Sequence, residues 1–244
     1  MENKIREASA LIRSAKHVTA FTGAGISVES GIPPFRGDDG LWSRYDPSIL
    51  DISRYLDQPG DSWPVIKELF YGYFQDAKPN LAHYFLAELE QKKILKALVT
   101  QNIDHLHQDA GSRDVIMYHG NSDWMICTVC GERTRVTERV IQQEIPRCRK
   151  DHGLLKPDFI FFGEPIPALA VERSIEEARR TDVMLVIGTT GEIMPASLVP
   201  HMAKDAGAMI IEINPVESLY TDNITDIFLK GKATEICNQL KQFI

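Results

Sequence analysis

The sequence predicts an α/β protein with a doubly wound, mostly parallel sheet and a small inserted module. Three observations carry that expectation. Short apolar runs of strand length alternate with stretches whose apolar residues recur at helical spacing. The first such run ends in a glycine turn, Gly23-Ala24-Gly25, ahead of a helix. Residues 121 to about 157 then break the rhythm: they hold three of the four cysteines, several charges and no long period.

In chain order, Ile5, Ala8, Ile12 and Ala15 fall on one helical face, and Val18 to Phe21 form the first strand. Residues 31–64 are rich in Gly, Pro and Asp without a clear period, which predicts a long functional loop with short helices. Ala82, Phe85, Leu86 and Leu89 make a helical stripe, with Pro79 near its first turn. Leu98-Val99 is the next strand, and Gln101 to Asp104 leads into a helix stopped by Gly111. Val115 to Met117 is another strand, running into His119-Gly120. After the insert come a strand-like Phe159 to Phe162 and a helix through Ala168, Val171, Ile175 and Ala178. Val183 to Ile187 then form a buried strand, residues 195–206 a helix, and Ala208 to Ile213 a further strand. Ala233, Ile236, Cys237 and Leu240 stripe the last helix, with Cys237 in its core face. One domain over 1–244 is expected. Its sheet part takes roughly 1–30, 80–120 and 158–244, a loop and helical part 31–79, and the cysteine module 121–157.

Composition narrows the class. The formal net charge of -7 argues against sequence-independent nucleic-acid binding, which needs clustered cations. It suits basic polypeptide partners, and equally suits plain solubility. No apolar run approaches the ~20 residues of a membrane span. The segment Met1 to Lys16 mixes Glu2 and Glu7 with basic residues and has no signal-peptide core. A cytoplasmic protein without membrane contact is expected. Four cysteines are few for a disulfide scaffold, and the crowding of three between 127 and 148 points to a metal site in a reducing compartment.

Glycines in a strand-to-helix turn let the backbone approach a pyrophosphate, whose charge the helix N-terminus favours. A tight turn without a ligand explains two glycines almost as well. The third glycine of a dinucleotide fingerprint would stand at Val28, and the acidic residue about twenty positions on would need a strand that this region lacks. A dehydrogenase reading therefore fails on its own terms.

The longer strings are more specific. Gly23 to Gly37 reads GAGISVESGIPPFRG, and it is followed by Thr100-Gln101-Asn102-Ile103-Asp104, Tyr118-His119-Gly120-Asn121, Phe161-Phe162-Gly163-Glu164, and Gly188-Thr189-Thr190 with Pro195-Ala196. In order and spacing these resemble the signature motifs of the sirtuin family, from about residue 10 to the end. Pro34 departs from the family, which usually has Asp or Thr there.

The resemblance implies an NAD-dependent lysine deacylase. NAD would lie across a Rossmann-like sheet, and an acyl-lysine protein or peptide would enter the cleft beside a smaller zinc-bearing part. The acyl oxygen attacks the ribose carbon as nicotinamide leaves, and a base then activates a ribose hydroxyl. The products are free lysine, nicotinamide and O-acyl-ADP-ribose. His119 matches the base, and an ordinary imidazole suits proton removal at neutral pH. Asn102 and Asp104 match positions that hold the nicotinamide amide and a nearby water, although either could simply start the following helix. Gln101 matches a ribose contact, and Gly23, Ala24 and Gly25 the cofactor turn. Ser27 and Arg36 match phosphate or nicotinamide-side contacts, and Phe35 covers the leaving group. Gly188 and Thr189 follow a buried strand, where phosphate and ribose contacts gather. Asn214 matches an adenosine-ribose contact, or is an Asn-Pro turn. Phe162, Gly163 and Glu164 would pair with the peptide backbone as an added strand. His105 and His107 read as surface or packing histidines.

Cys127, Cys130 and Cys148 match three of the family's four zinc cysteines, and the fourth position is Asp151, with His152 beside it. Three thiolates completed by a carboxylate or an imidazole can hold zinc; a module that folds without metal is the alternative. Phe70, Tyr71, Tyr73 and Phe74 are either core or the walls of an apolar acyl channel. Sirtuins that prefer acidic acyl groups have a Tyr and an Arg three residues apart here, whereas Tyr71 is followed by Phe74. ADP-ribosyl transfer, plain NAD hydrolysis and a non-catalytic NAD-responsive module are the competing functions. Intact His119, Asn102 and Asp104 speak against the last.

Overall fold

The computed structural model describes residues 1–36, 40–72 and 76–244. Six strands form one parallel sheet: β1 (Val18–Thr22), β2 (Leu95–Thr100), β3 (Val115–Met117), β7 (Val183–Ile187), β8 (Met209–Asn214) and β9 (Ile227–Lys230). Their spatial order is β3-β2-β1-β7-β8-β9. The chain thus winds outward from β1 on one side, returns, and winds outward from β7 on the other. The reversal leaves a crevice at the carboxyl ends of β1 and β7, the place where such sheets bind ligands.

Period-two alternation supplies both faces of the sheet. Val18 and Ala20 of β1 pack with Leu98, Leu185 and Ile211 under the helices α1 (Glu2–Ser14), α4 (Leu81–Gln91) and α9 (Ala233–Lys241). Phe21 points the other way, to Val99, Met184 and Val186, beneath α7 (Ala168–Arg180) and α8 (Leu198–Asp205). Both faces are covered, which is why β1 and β7 are buried throughout rather than alternating.

A second sheet of three antiparallel strands, ordered β5-β4-β6, follows β3 directly: β4 (Gly120–Cys127), β5 (Arg133–Arg135) and β6 (Leu155–Phe159), with the short helices α5 (Leu106–Asp109) ahead of β3 and α6 (Glu138–Ile141) between β5 and β6. Segment 31–79 carries the helices α2 (Ile52–Asp57) and α3 (Pro59–Lys67) and shares one core with this sheet, Trp63, Ile66, Leu69 and Phe70 lying against Met125, Cys148, Leu155 and Phe159. Two buried polar groups close the seam, Tyr55 Oη donating to Leu155 O (2.7 Å) and Trp63 Nε1 to Gln143 O (3.0 Å).

The structure corrects the sequence reading in several places, among them the helix expected over 195–206, which begins at Leu198. The expected strand Phe159 to Phe162 ends at Phe159, because Phe162 turns away to pair with Asp51. β9 is an addition: its four residues alternate too briefly to show a period in the sequence. The helix expected from Pro79 begins at Leu81, because Asn80 caps it, accepting from Ala82 N (2.9 Å).

That cap is reciprocal: His83 Nδ1 accepts from Asn80 N at 3.2 Å. His83 is fully buried edge-on to His107, whose Nε2 meets the Thr22 hydroxyl at 2.9 Å. His107 is therefore a packing histidine, while His105 lies 3.3 Å from Asp123. Burial lowers the pKa of His83 from 6.5 to about 4 and that of His107 in the same direction. A histidine depressed in the folded chain opposes folding once the unfolded chain protonates. Stability is full above the unfolded value near 6.5 and declines as pH falls towards 4. Across that window the wild type should lose on the order of 3 kcal/mol more than His83→Gln. Urea unfolding of both at a series of pH values checks this, and parallel curves would refute it.

Candidate active site

The crevice is built from two turns that cross. Gly23 N donates to Ile187 O (3.0 Å), and Gly25 N to Gly188 O (2.8 Å). A Cβ on Gly25 would sit 2.7 Å from Gly188 Cα, and one on Gly188, whose φ is +64°, only 2.3 Å from Ile26 N. The room these glycines leave is filled by the neighbouring turn. They serve backbone-to-backbone packing at the switch point, beyond any approach to a phosphate. The turn after Gly23 continues as a 3₁₀ helix, Ala24–Ser30, with Val28 exposed on it.

Over this crossing lies a cavity of about 620 Å³, in the range of small-molecule sites. Gly23, Ala24, Gly25, Phe35, Arg36, Gln101, Asn102, His119, Gly188, Thr189 and Asn214 all face it. A second, more apolar cavity of about 230 Å³ shares Ala24, Phe35, Arg36, Gln101, Asn102 and His119 with the first. It adds Ser27, Asp104, Phe162, Gly163 and Glu164. Nearly every sequence-predicted residue of the cofactor and peptide sites therefore converges on two connected cavities.

Polar side chains hold one another along the shared wall. Asn102 Nδ2 donates to Gly23 O and to Ser27 Oγ, both at 3.2 Å, and Ser27 Oγ donates to Asp104 Oδ2 at 2.6 Å. The other Asp104 oxygen accepts from Leu106 N (3.1 Å), so the helix-starting role and the site role coexist in one carboxylate. Asn102 does not cap; its amide goes to the glycine turn instead. Burial raises the pKa of Asp104, with the Ser27 hydrogen bond opposing. Gln101 Nε2 donates to Thr189 Oγ1 (3.2 Å), and Asn214 Nδ2 to Thr189 O (3.1 Å), tying three strand ends together. Arg36 pairs with Glu192 at 3.0 Å, and Phe35 packs on Trp42 and Phe70.

His119 sits between β3 and β4. Its Nδ1 lies 3.0 Å from Gln101 O. A carbonyl only accepts, so Nδ1 carries the proton and Nε2 keeps its lone pair. Burial lowers the His119 pKa, with the Gln101 bond pulling the other way. The imidazole is thus neutral near pH 7, in the tautomer a base requires.

Tyr71 is not brought to either cavity. It packs on Trp63, its hydroxyl buried without a hydrogen-bond partner among the described residues, and Phe70 lines the apolar cavity in its place. Tyr73 and Phe74 lie outside the described residues. Sequence reasoning also misses Ile103, Phe159 and Ile193 on the apolar wall. Ile103 stands inside the Thr100 to Asp104 motif, a signal that could have found it; Phe159 and Ile193 carry none.

At the far end of the small sheet, ligand atoms of Cys127, Cys130, Cys148 and Asp151 lie within 4.8 Å of one another. Cys130 Sγ and Cys148 Sγ are 3.9 Å apart, and Cys127 Sγ is 3.3 Å from Asp151 Oδ1. His152, left-handed at φ 62°, is not in the group. Four zinc ligands at tetrahedral angles put neighbouring sulfurs about 3.8 Å apart, so this donor set fits such an ion. Cys237 is buried on α9, far from it in the fold.

A model described as the Sir2 family matches residues 23–195. The NAD-dependent protein deacylase of Pyrococcus abyssi is 41% identical over 238 residues, covering 95% of this chain and 94% of its own length. NAD-dependent protein deacylase 2 of Archaeoglobus fulgidus is 44% identical over 241 residues, covering 97% and 94%. Among solved structures, a Sir2 protein described with a deacetylated p53 peptide and 3'-O-acetyl ADP ribose superposes with a TM-score of 0.93 at 32% identity, covering 98% of this chain and 97% of that one. The likeness runs through the crevice, both cavities and the His119 motif: the chain belongs to the Sir2 family and is an NAD-dependent protein deacylase.

Proposed function

We propose that the two cavities share out the substrates of protein lysine deacylation: the adenosine, phosphates and ribose of NAD in the wider one, its nicotinamide end at Ser27, Asn102 and Asp104 where the apolar one meets it, and the acyl-lysine end of a polypeptide in the rest of the apolar one. The observation that supports this best is His119, which stands on the wall they share with its Nε2 lone pair available. Gly23, Ala24, Gly25, Gly188, Thr189 and Asn214 would hold the phosphate and ribose end of NAD. Gln101 would take a ribose hydroxyl, and Ser27, Asn102 and Asp104 the nicotinamide side, with Phe35 and Arg36 above. NAD supplies a ribose carbon open to the acyl oxygen and nicotinamide as the leaving group. Asp104 can accept from the carboxamide NH2, and its tie to Ser27 and Asn102 keeps the three groups in register before binding. His119 then removes a proton from a ribose hydroxyl through Nε2, while Gln101 O steadies the imidazolium from Nδ1. Gly163 would pair with the peptide backbone at the mouth of the apolar cavity, because the N–H and C=O of Phe162 are already bonded to Leu50 and Ile52.

Zinc, held by Cys127, Cys130, Cys148 and Asp151, would be structural: all four positions in this reading are protein ligands, leaving none open for catalysis. A reduced cluster of this kind fits a cytoplasmic enzyme. Helices long and apolar enough to cross a membrane are absent among the described residues.

The acyl group should be neutral. An acyl carboxylate entering this cavity would cost several kcal/mol unless a fixed cation met it, which an Arg fork does best. Arg36 is a cation on this wall, and Glu192 already pairs with it. Phe70, Ile103, Phe159 and Phe161 instead reward methylenes, at ~0.8 kcal/mol each. Mass spectrometry of NAD reactions with acetyl, longer acyl and succinyl versions of one peptide tests function and preference together. Nicotinamide, free lysine and O-acyl-ADP-ribose should form only with an acylated peptide, and fastest with the neutral groups. Nicotinamide release without peptide would favour plain NAD hydrolysis. A succinyl kcat/KM above the acetyl value would defeat the preference.

A further inference from the structure

Lys156 is a buried cation that the chemistry above does not use. Its side chain is 6% exposed, yet it sits on β6 among aromatic residues. The ammonium donates to Phe159 O (2.7 Å) and to Glu164 Oε2 (2.8 Å), and lies 4.4 Å from the centre of the Phe161 ring. Burial lowers its pKa, and the Glu164 carboxylate opposes that pull. The same Glu164 oxygen accepts from Phe161 N at 2.8 Å. One carboxylate oxygen is therefore committed to its own turn, at the edge of the apolar cavity that Glu164 also lines.

The turn so closed is the one proposed to receive the peptide. Ile160 N donates to His119 O (2.9 Å), Phe162 N to Leu50 O (2.8 Å), and Ile52 N to Phe162 O (3.0 Å). Gly163 completes the turn at φ +89°. Segment 159–164 thus spans from the catalytic histidine's own backbone to the Leu50 strand-like edge. One ammonium holds it from beneath at Phe159, Phe161 and Glu164. Phe162, 44% exposed, is the side chain left facing the mouth.

We infer that Lys156 and Glu164 are positioning residues for the peptide substrate: an ion pair around a buried ammonium that holds the turn Phe161 to Gly163 so that the Gly163 backbone is presented for strand pairing, with neither side chain touching the peptide. This rests on the reading of the turn at Gly163 as the peptide's partner, and it adds a role for the Glu164 side chain to the backbone pairing expected there. Removing one partner leaves the other charge buried and unpaired, which costs far more than an exposed pair would. The cost falls on the turn, so it should appear in peptide affinity rather than in the NAD cavity.

Steady-state kinetics with NAD and an acetyl-lysine peptide, unmodified or N-methylated at the amides beside the acyl-lysine, each varied separately, test this in the wild type, Lys156→Met, Lys156→Arg and Glu164→Gln. Lys156→Met and Glu164→Gln should each raise the peptide KM by about ten-fold and leave the NAD KM within about two-fold. Lys156→Arg should recover most of the loss, and the Met and Gln changes combined should be much less than multiplicative. A rise with Glu164→Gln but none with Lys156→Met would mean that Glu164 touches the peptide, and would overturn the inference. So would peptide and NAD KM rising together. If Lys156→Met does not fold, Glu164→Gln with the Arg variant decides alone. A peptide N-methylated at the amides beside the acyl-lysine separates the two levels: an unchanged peptide KM there removes the reading of the turn itself. A raised KM there, with silent Lys156 and Glu164 variants, removes only the brace.

Discussion

His119→Ala is expected to lower kcat for deacylation by on the order of 10²-fold or more while NAD affinity stays within a few-fold. Two atoms of one ring set this expectation. Nδ1 is committed to Gln101 O at 3.0 Å, which leaves Nε2 as the proton acceptor at the junction of the cavities. Alanine removes the acceptor, and water in the apolar junction is a poorer base held in no fixed geometry. The polar chain Gly23–Asn102–Ser27–Asp104 does not pass through His119, so the NAD cavity should keep its shape. A pH profile adds a second reading. Burial lowers the His119 pKa, so the acid limb of kcat/KM should turn below the ordinary value near 6.5. Below that turn the ring is protonated and inactive; above it the base form dominates. His119→Ala should lose this limb. Undiminished turnover in the variant, or an acid limb that survives it, sinks the assignment.

Zinc removal is the second large effect expected. Protein prepared without chelator should hold about one zinc per chain, and stripping it should lower the thermal midpoint by roughly 10 °C or more. Metal ligation can supply much of a small module's folding energy, and here the module does not stand alone. Cys127 and Cys148 belong to the same core cluster as Trp63, Leu69 and Phe70. Phe70 in turn lines the apolar cavity. Loosening the cysteines should therefore reach the acyl wall through packed side chains, and activity should fall with stability. Cys148→Ser and Asp151→Ala should both weaken zinc retention, whereas His152→Ala should not, because its ring is outside the ligand group. Metal analysis and thermal scans of the three variants read this directly. A metal-free protein with unchanged melting and full activity would show that the module has no need of the ion.

The order of amino acids alone specifies much of this molecule. Val115 to Met117 and Val183 to Ile187 are strands to the residue, because a run covered on both faces is apolar throughout and ends where polarity returns. The motifs at 23–37, 100–104, 118–121 and 161–164 contain most of the residues that line the cavities, since chemistry constrains residue type at fixed positions along the chain.

The tertiary structure decides what depends on partners distant in sequence. Periodicity tells which face a residue takes and says nothing of which strand lies beside it, so the order β3-β2-β1-β7-β8-β9, and with it the crevice, comes only from the fold. Tyr71 and Phe70 are adjacent and both aromatic; the tyrosine packs on Trp63 at the edge of the core, and the buried phenylalanine is the one that also lines the cavity. Asp151 and His152 are both zinc-competent, and a left-handed backbone at His152 leaves the aspartate in the ligand group. Glu164 reads from its motif as backbone that pairs with a peptide, and only the fold shows its carboxylate aimed at a buried cation. That cation, Lys156, stands eight residues back on β6, at a separation no sequence pattern reports.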